Sequence, residues 1–133
     1  MLGADVYREL QGYETVLAWF DAWPSFHDAE ITQISLSTHG DSSLEVATWR
    51  TRAELDSGGF YARDKEAVVV FHMSAISSVE LSGFSPQNVI AGLIIVKQDR
   101  RIRLLLEPCY GVSGYIEAQE IRVEVRPGAS RSY

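Results

Sequence analysis

At Pro24 the hydrophobic period of this chain changes, and that switch limits the folds open to it. Upstream, Leu10, Tyr13, Leu17 and Phe20 recur at three- and four-residue steps, which puts them on one face of a helix. Gly12 interrupts the pattern, so the spacing fits a short first turn and a main helix over about 14–22 as well as one continuous rod. Proline disfavours helical geometry at the residue before it, here Trp23, and ends the helix.

Beyond Pro24 the period falls to two. Ile34 and Leu36 alternate with serines, His39-Gly40-Asp41-Ser42-Ser43 supplies turn chemistry, and Leu44, Val46 and Thr48 resume the alternation, which predicts a hairpin. Asp56-Ser57-Gly58-Gly59 reads as a loop, and 67–73 as a central strand covered on both faces. Val79 and Leu81 mark a further strand; Ser85-Pro86 breaks the pattern, and 87–91 suits one helical turn before the apolar run 93–96. Asp99-Arg100 predicts a turn into a strand through Ile102, Leu104 and Leu106 that Pro108 closes, and Gly111 and Gly114 bracket the next turn. In the last segment Ile121, Val123 and Val125 oppose Glu120, Arg122, Glu124 and Arg126, a strand with one wet face. One helix followed by meander-spaced strands predicts an α+β fold, mostly β: a curved or partly closed antiparallel sheet with one N-terminal helix packed on it.

A chain of 133 residues suits one domain, 1–133, because folding at this size buries roughly two thirds of the extended chain's surface. The N-terminal residues carry an acid where an export signal is basic, and no apolar run is long enough to span a bilayer, so no membrane is expected. Cys109, the one cysteine, fits a reducing compartment and a cytoplasmic protein. A formal charge of −6 argues against nucleic acid, whose phosphates select clustered Lys and Arg, and favours a basic partner. Arg100, Arg101 and Arg103 form a local basic knot that a hairpin tip explains without a ligand.

His27-Asp28 invites a metal-dependent phosphohydrolase, but the other histidines, His39 in a turn and His72 in a strand, complete no ligand set, and hydrogen bonding to loop backbone is the stronger reading. Cys109 at a strand end has no base nearby in sequence and reads as a buried, unreactive thiol. Ser57-Gly58-Gly59 lacks the Lys and following helix of a phosphate loop, and Glu117, Glu120 and Glu124, interleaved with Arg122 and Arg126, read as a solvated face. No cofactor, metal or catalytic residue is implied. Trp19, Phe20, Trp23 and Phe26 are expected to tie helix to sheet. Trp49, Phe60, Tyr61, Tyr110 and Tyr115, near predicted loops and strand ends, are the candidates for partner contact, since interface hot spots favour Tyr and Trp.

The stretch Trp23-Pro24-Ser25-Phe26-His27-Asp28-Ala29-Glu30, read with Phe20 and with Gly83-Phe84 and Gln87-Asn88-Val89-Ile90-Ala91-Gly92-Leu93, resembles the immunity protein 50 family of bacterial polymorphic toxin systems. That resemblance implies a mostly β, non-enzymatic antitoxin that binds and neutralises a cognate toxin; a basic nuclease domain would complement the charge of −6. It also implies that Trp23, Pro24, Phe26, His27, Asp28, Glu30, Gly83, Phe84 and Asn88 are fold determinants. Two other classes stay open: a small metal-dependent hydrolase using His27 and Asp28, and a homodimeric module using an exposed sheet edge.

Overall fold

Alternating side chains require the sheet to bury one face, and here six antiparallel strands do so by curving round a common core. The structure, a computed structural model, describes residues 5–55, 58 and 61–128; for 51–55 and 61–64 it describes the backbone. A 3-10 turn, Val6–Glu9, and helix α1, Tyr13–Phe20, precede β1 (Glu30–Ser35), β2 (Ser42–Leu55), β3 (Tyr61–Ser82), β4 (Val89–Gln98), β5 (Arg101–Tyr110) and β6 (Ser113–Pro127). Neighbours run in the order β1-β2-β3-β6-β5-β4, a ring-like sheet whose ends meet at a short seam where Glu30 stands beside Val89. The expected mostly β fold with one helix on a curved sheet is therefore the observed one.

The core is the inner face of that ring: Leu44 and Val46 of β2, Val69, Phe71 and Met73 of β3, Leu104 of β5, and Ile116, Ile121 and Val123 of β6. Val6, Leu10, Val16 and Phe20 close it from the N-terminal side, so the helix buries Val16 where the spacing had pointed to Leu17. Pairing of β5 with β6 stops at Ile102 and Ala118, and beyond it Gln11 takes over the exposed β6 edge, donating to the Ile121 carbonyl (3.1 Å) and accepting from the Val123 amide (2.7 Å). Gly12 makes this approach possible: at φ +85°, a Cβ there would lie 2.4 Å from the Val123 carbonyl oxygen. The other end of α1 is tied by Trp19, whose indole N–H donates to the Lys65 carbonyl (2.9 Å), and by an ion pair between Asp21 and Arg50.

Several boundaries differ from those expected. The helix stops at Phe20, because Asp21 turns left-handed (φ 64°) before Pro24 is reached. The run 67–73 and the segment holding Val79 and Leu81 are one 22-residue strand, bent at Ala75 (φ 56°) with a register shift between Ile76 and Ser78. No helical turn forms over 87–91; Val89 begins β4, since its apolar residues find strand partners in β5. Pro108 does not end β5, which runs on to Tyr110: β6 pairing has already stopped at Leu106, so the missing N–H costs no ladder bond on that side. Gly114 lies within β6, and the turn is at Gly111-Val112. Of the expected loop 56–59, Gly58 sits in a turn and Asp56, Ser57 and Gly59 lie outside the described residues.

The outer face explains how 67–73 is covered twice. Val70 points outward in register between Glu45 and Glu124, yet it is buried. The Arg126 guanidinium, 3.1 Å from Glu124 and 3.9 Å from Glu45, spans the gap over it, while His72 Nε2 lies 2.9 Å from Glu124. Further along, the basic knot divides: Arg100 stays in the β4–β5 turn, whereas Arg103 (3.1 Å) and Arg101 (3.9 Å) reach Glu117. The Ser77 hydroxyl, donating at 2.9 Å, and then Arg103 hold the Glu117 carboxyl below its ordinary value. Such a group contributes stability that is complete above its unfolded value of about 4.3 and is lost as pH falls through the lower folded one. Glu117→Gln is thus expected to be less stable than the parent chain at neutral pH and to converge on it as pH falls from about 4.3 through the lower folded value. Urea midpoints across pH would check this, and a gap that does not change with pH would exclude the ionic contribution.

Candidate binding site at the open end of the sheet

The strands differ in length, and the mismatch opens one end of the ring. Pairing of β2 with β3 ends at Ser42 and Met73, whereas β3 continues along β6 as far as Ser82 and Ser113. From Ser74 to Ser82, β3 therefore has a strand neighbour on one side and, among the described residues, none on the other. Across the opening from this edge lies Ile34 of β1. Ile34, Leu81, Ser82, Gly83, Phe84 and Val112 line a mainly apolar cavity of about 330 Å³ between them. Phe84, in its lining, is 60% exposed; Leu36 (50%), Val79 (37%) and Tyr110 (52%), each two residues along the chain from the lining residues Ile34, Leu81 and Val112, are exposed as well.

The rim is built by Asn88, which is buried. Its Oδ1 accepts from the Ser85 amide (2.9 Å) and the Val112 amide (3.0 Å), and its Nδ2 donates to the Ser85 carbonyl (2.7 Å). One side chain thus holds the 83–88 loop against the β5–β6 turn. Gly111 completes the joint: at φ +88°, a Cβ would stand 2.5 Å from the Gln87 carbonyl oxygen and 2.6 Å from Asn88 Oδ1. Phe84 is displayed on this loop and lies outside the core.

The 23–30 stretch is built round Phe26, which is buried against Phe71 (centroids 6.0 Å) and Trp23 (5.9 Å), while Trp23 stacks on Tyr7 at 4.7 Å. Phe26 and Asp28 both adopt left-handed backbone (φ 61° and 64°), and the tight path this creates delivers the chain to the ring's seam. There the Asp28 amide donates to Ile90, Ile90 to Ala29, and Ile31 to Asn88, at 2.8–2.9 Å. His27 Nδ1 lies 3.2 Å from the Ala91 carbonyl, a backbone contact to strand β4 where loop backbone was expected, and needs the tautomer with a proton on Nδ1 to donate. His27 and Asp28 are 3.6 Å apart, with side chains 68% and 54% exposed. Among the described residues no group of three or more His, Cys, Asp or Glu side chains could hold a metal ion.

The partner-contact candidates do not converge. Tyr110 is at the open end; Trp49 lies further along β2 and is partly buried; Tyr115 is on the outer face, bonded to Ser78 (3.1 Å) and covered by Arg103 at 3.9 Å from its centroid. The side chains of Phe60 and Tyr61 lie outside the described residues. Cys109 is exposed and not buried as expected, because β5 past Leu106 has no β6 neighbour to cover it. Spacing missed Leu36 and Val79 as surface residues, since their alternation is that of any core strand. Phe84, an apolar residue between Gly83 and Ser85-Pro86, carried the one local signal: an aromatic in turn-forming context.

No helix among the described residues is long and apolar enough to cross a membrane. No family model, curated protein or solved structure matches the chain.

Proposed function

We propose that this chain is an immunity protein that binds a cognate bacterial toxin in the cytoplasm and neutralises it by stoichiometric protein–protein inhibition. The observation that carries the reading is the open end of the ring: an apolar hollow lined by Ile34, Leu81, Phe84 and Val112, with the Phe84 ring 60% exposed, in a chain of net charge −6. An apolar hollow with an exposed aromatic in its lining is a feature of protein recognition sites. The resemblance of the 23–30 and 83–93 stretches to the immunity protein 50 family supplies the class of partner. In this reading those stretches shape the site and its exposed side chains meet the toxin. Acidic charge would steer a basic toxin such as a nuclease domain toward it, and the apolar hollow would hold it.

The test is titration of the purified chain with the toxin domain encoded beside its gene, at low and high salt, alongside a toxin-activity assay. A one-to-one complex that suppresses toxicity and associates more slowly as salt rises is expected. Absence of both binding and protection would reject the proposal for that pair.

A further inference from the structure

The unpaired stretch of β3 has the form of a site to which another strand can be added. A sheet edge with free backbone groups is an aggregation liability that proteins commonly blunt with Pro, Lys or a covering loop. Between Ser77 and Ser82 this edge has no proline and no lysine, and the bend at Ala75 sets it apart from the paired part of the strand. Val79 and Leu81 share their face with Ile116 and Gly114, opposite them on β6, and Leu81 lines the apolar cavity. A strand laid alongside would therefore gain backbone bonds from the edge and a hollow for one of its alternate side chains.

Charge selects the occupant. The segments that build this end, 31–42, 74–90 and 104–118, contain Asp41, Glu80, Glu107 and Glu117, and neither lysine nor arginine. Glu117 is matched by Arg103 and Arg101, and Arg122 stands opposite His72, on the other side of the bend. Asp41, Glu80 and Glu107 make no ion pair among the described residues. A second copy of the chain would bring a second Glu80 and a further −6 to the same edge, which opposes self-pairing.

We infer that the β3 edge from Ser77 to Ser82 captures an extended segment of the partner protein, with an apolar side chain entering the cavity between Ile34, Leu81, Phe84 and Val112 and with Lys or Arg flanking it. This rests on the toxin-binding reading for its partner and adds the mode of contact. The probe is the peptide Lys-Thr-Val-Thr-Val-Thr-Val-Thr-Lys, capped at both ends, against the same peptide with Glu in place of each Lys, followed by fluorescence anisotropy and by amide hydrogen exchange of the full chain. The Lys-ended peptide is expected to bind about tenfold more tightly at low salt. It should slow exchange within 76–82, lose binding in Phe84→Asp, and lose its advantage in Glu80→Lys; both substituted side chains are exposed, so the fold is retained.

Equal affinity for the two peptides, or protection elsewhere than β3, would overturn the inference. So would a peptide-free chain that is dimeric with 76–82 already protected. The two proposals fail separately. A toxin neutralised equally well by the parent chain, Phe84→Asp and Glu80→Lys would keep the immunity reading and remove this site. Peptide binding without toxin binding would do the reverse.

Discussion

Phe26→Ala is expected to lower stability by about 3–5 kcal/mol, the range for emptying a buried phenylalanine site. The ring is 1% exposed and touches both Trp23 and Phe71, so its loss leaves a void between the 23–30 stretch and the middle of β3 that neither neighbour can fill without leaving its own contacts. The effect should reach the seam, because Ala29 is bonded both to the Phe26 carbonyl and to the Ile90 amide. Urea unfolding measures the total, and amide exchange at Ile90 and Ile31 reports the local part. His27→Ala is the adjacent control: its side chain is largely exposed, so a change within about 0.5 kcal/mol is expected. If His27→Ala matched Phe26→Ala, the stretch would owe its importance to the histidine and the packing argument would fail.

Asn88→Ala is expected to cost about 2–4 kcal/mol, since it strands two amide donors and one carbonyl that now pair with a single buried amide side chain. Water can reach part of the loop, which keeps the loss below the sum of three buried bonds. Asn88→Asp separates the contributions. It retains an acceptor for Ser85 and Val112 but places a carboxylate oxygen against the Ser85 carbonyl, so it should be destabilised at neutral pH and recover as acid protonates it. Binding at the open end should suffer in both variants even where most of the chain stays folded, because the 83–88 loop carries Phe84. A stability change below about 0.5 kcal/mol in Asn88→Ala would show that the loop is held by other contacts.

Much of the architecture could be read from local pattern. The clean alternation at 121–126 predicted an inward row of Ile121 and Val123 and an outward row with Arg122, and both rows are where the pattern put them. The run 67–73 could be read as covered on both faces, but not what covers its outer side. There Arg126 bridges Glu45 and Glu124, residues far apart in sequence that share a row only because β2, β3 and β6 are neighbours. Leu17 and Val16 show the same limit at smaller scale. Both fit a helix face, and the choice fell to Val16 because Gln11 and Gly12 dock on β6 and fix the helix's rotation.

The chain's own order of residues determined where helix gives way to strand, which side of each strand is apolar, and the absence of Lys and Arg from 31–42 and 74–90, since these depend on the local run of residues. Only tertiary structure decided that β3 outruns β2 by the length of 74–82, and that Ile34, Phe84 and Val112 meet around the gap. Strand register and strand-end mismatch are set by pairing between distant segments, and a residue that ends beyond its partner reads, along the chain, like one that does not.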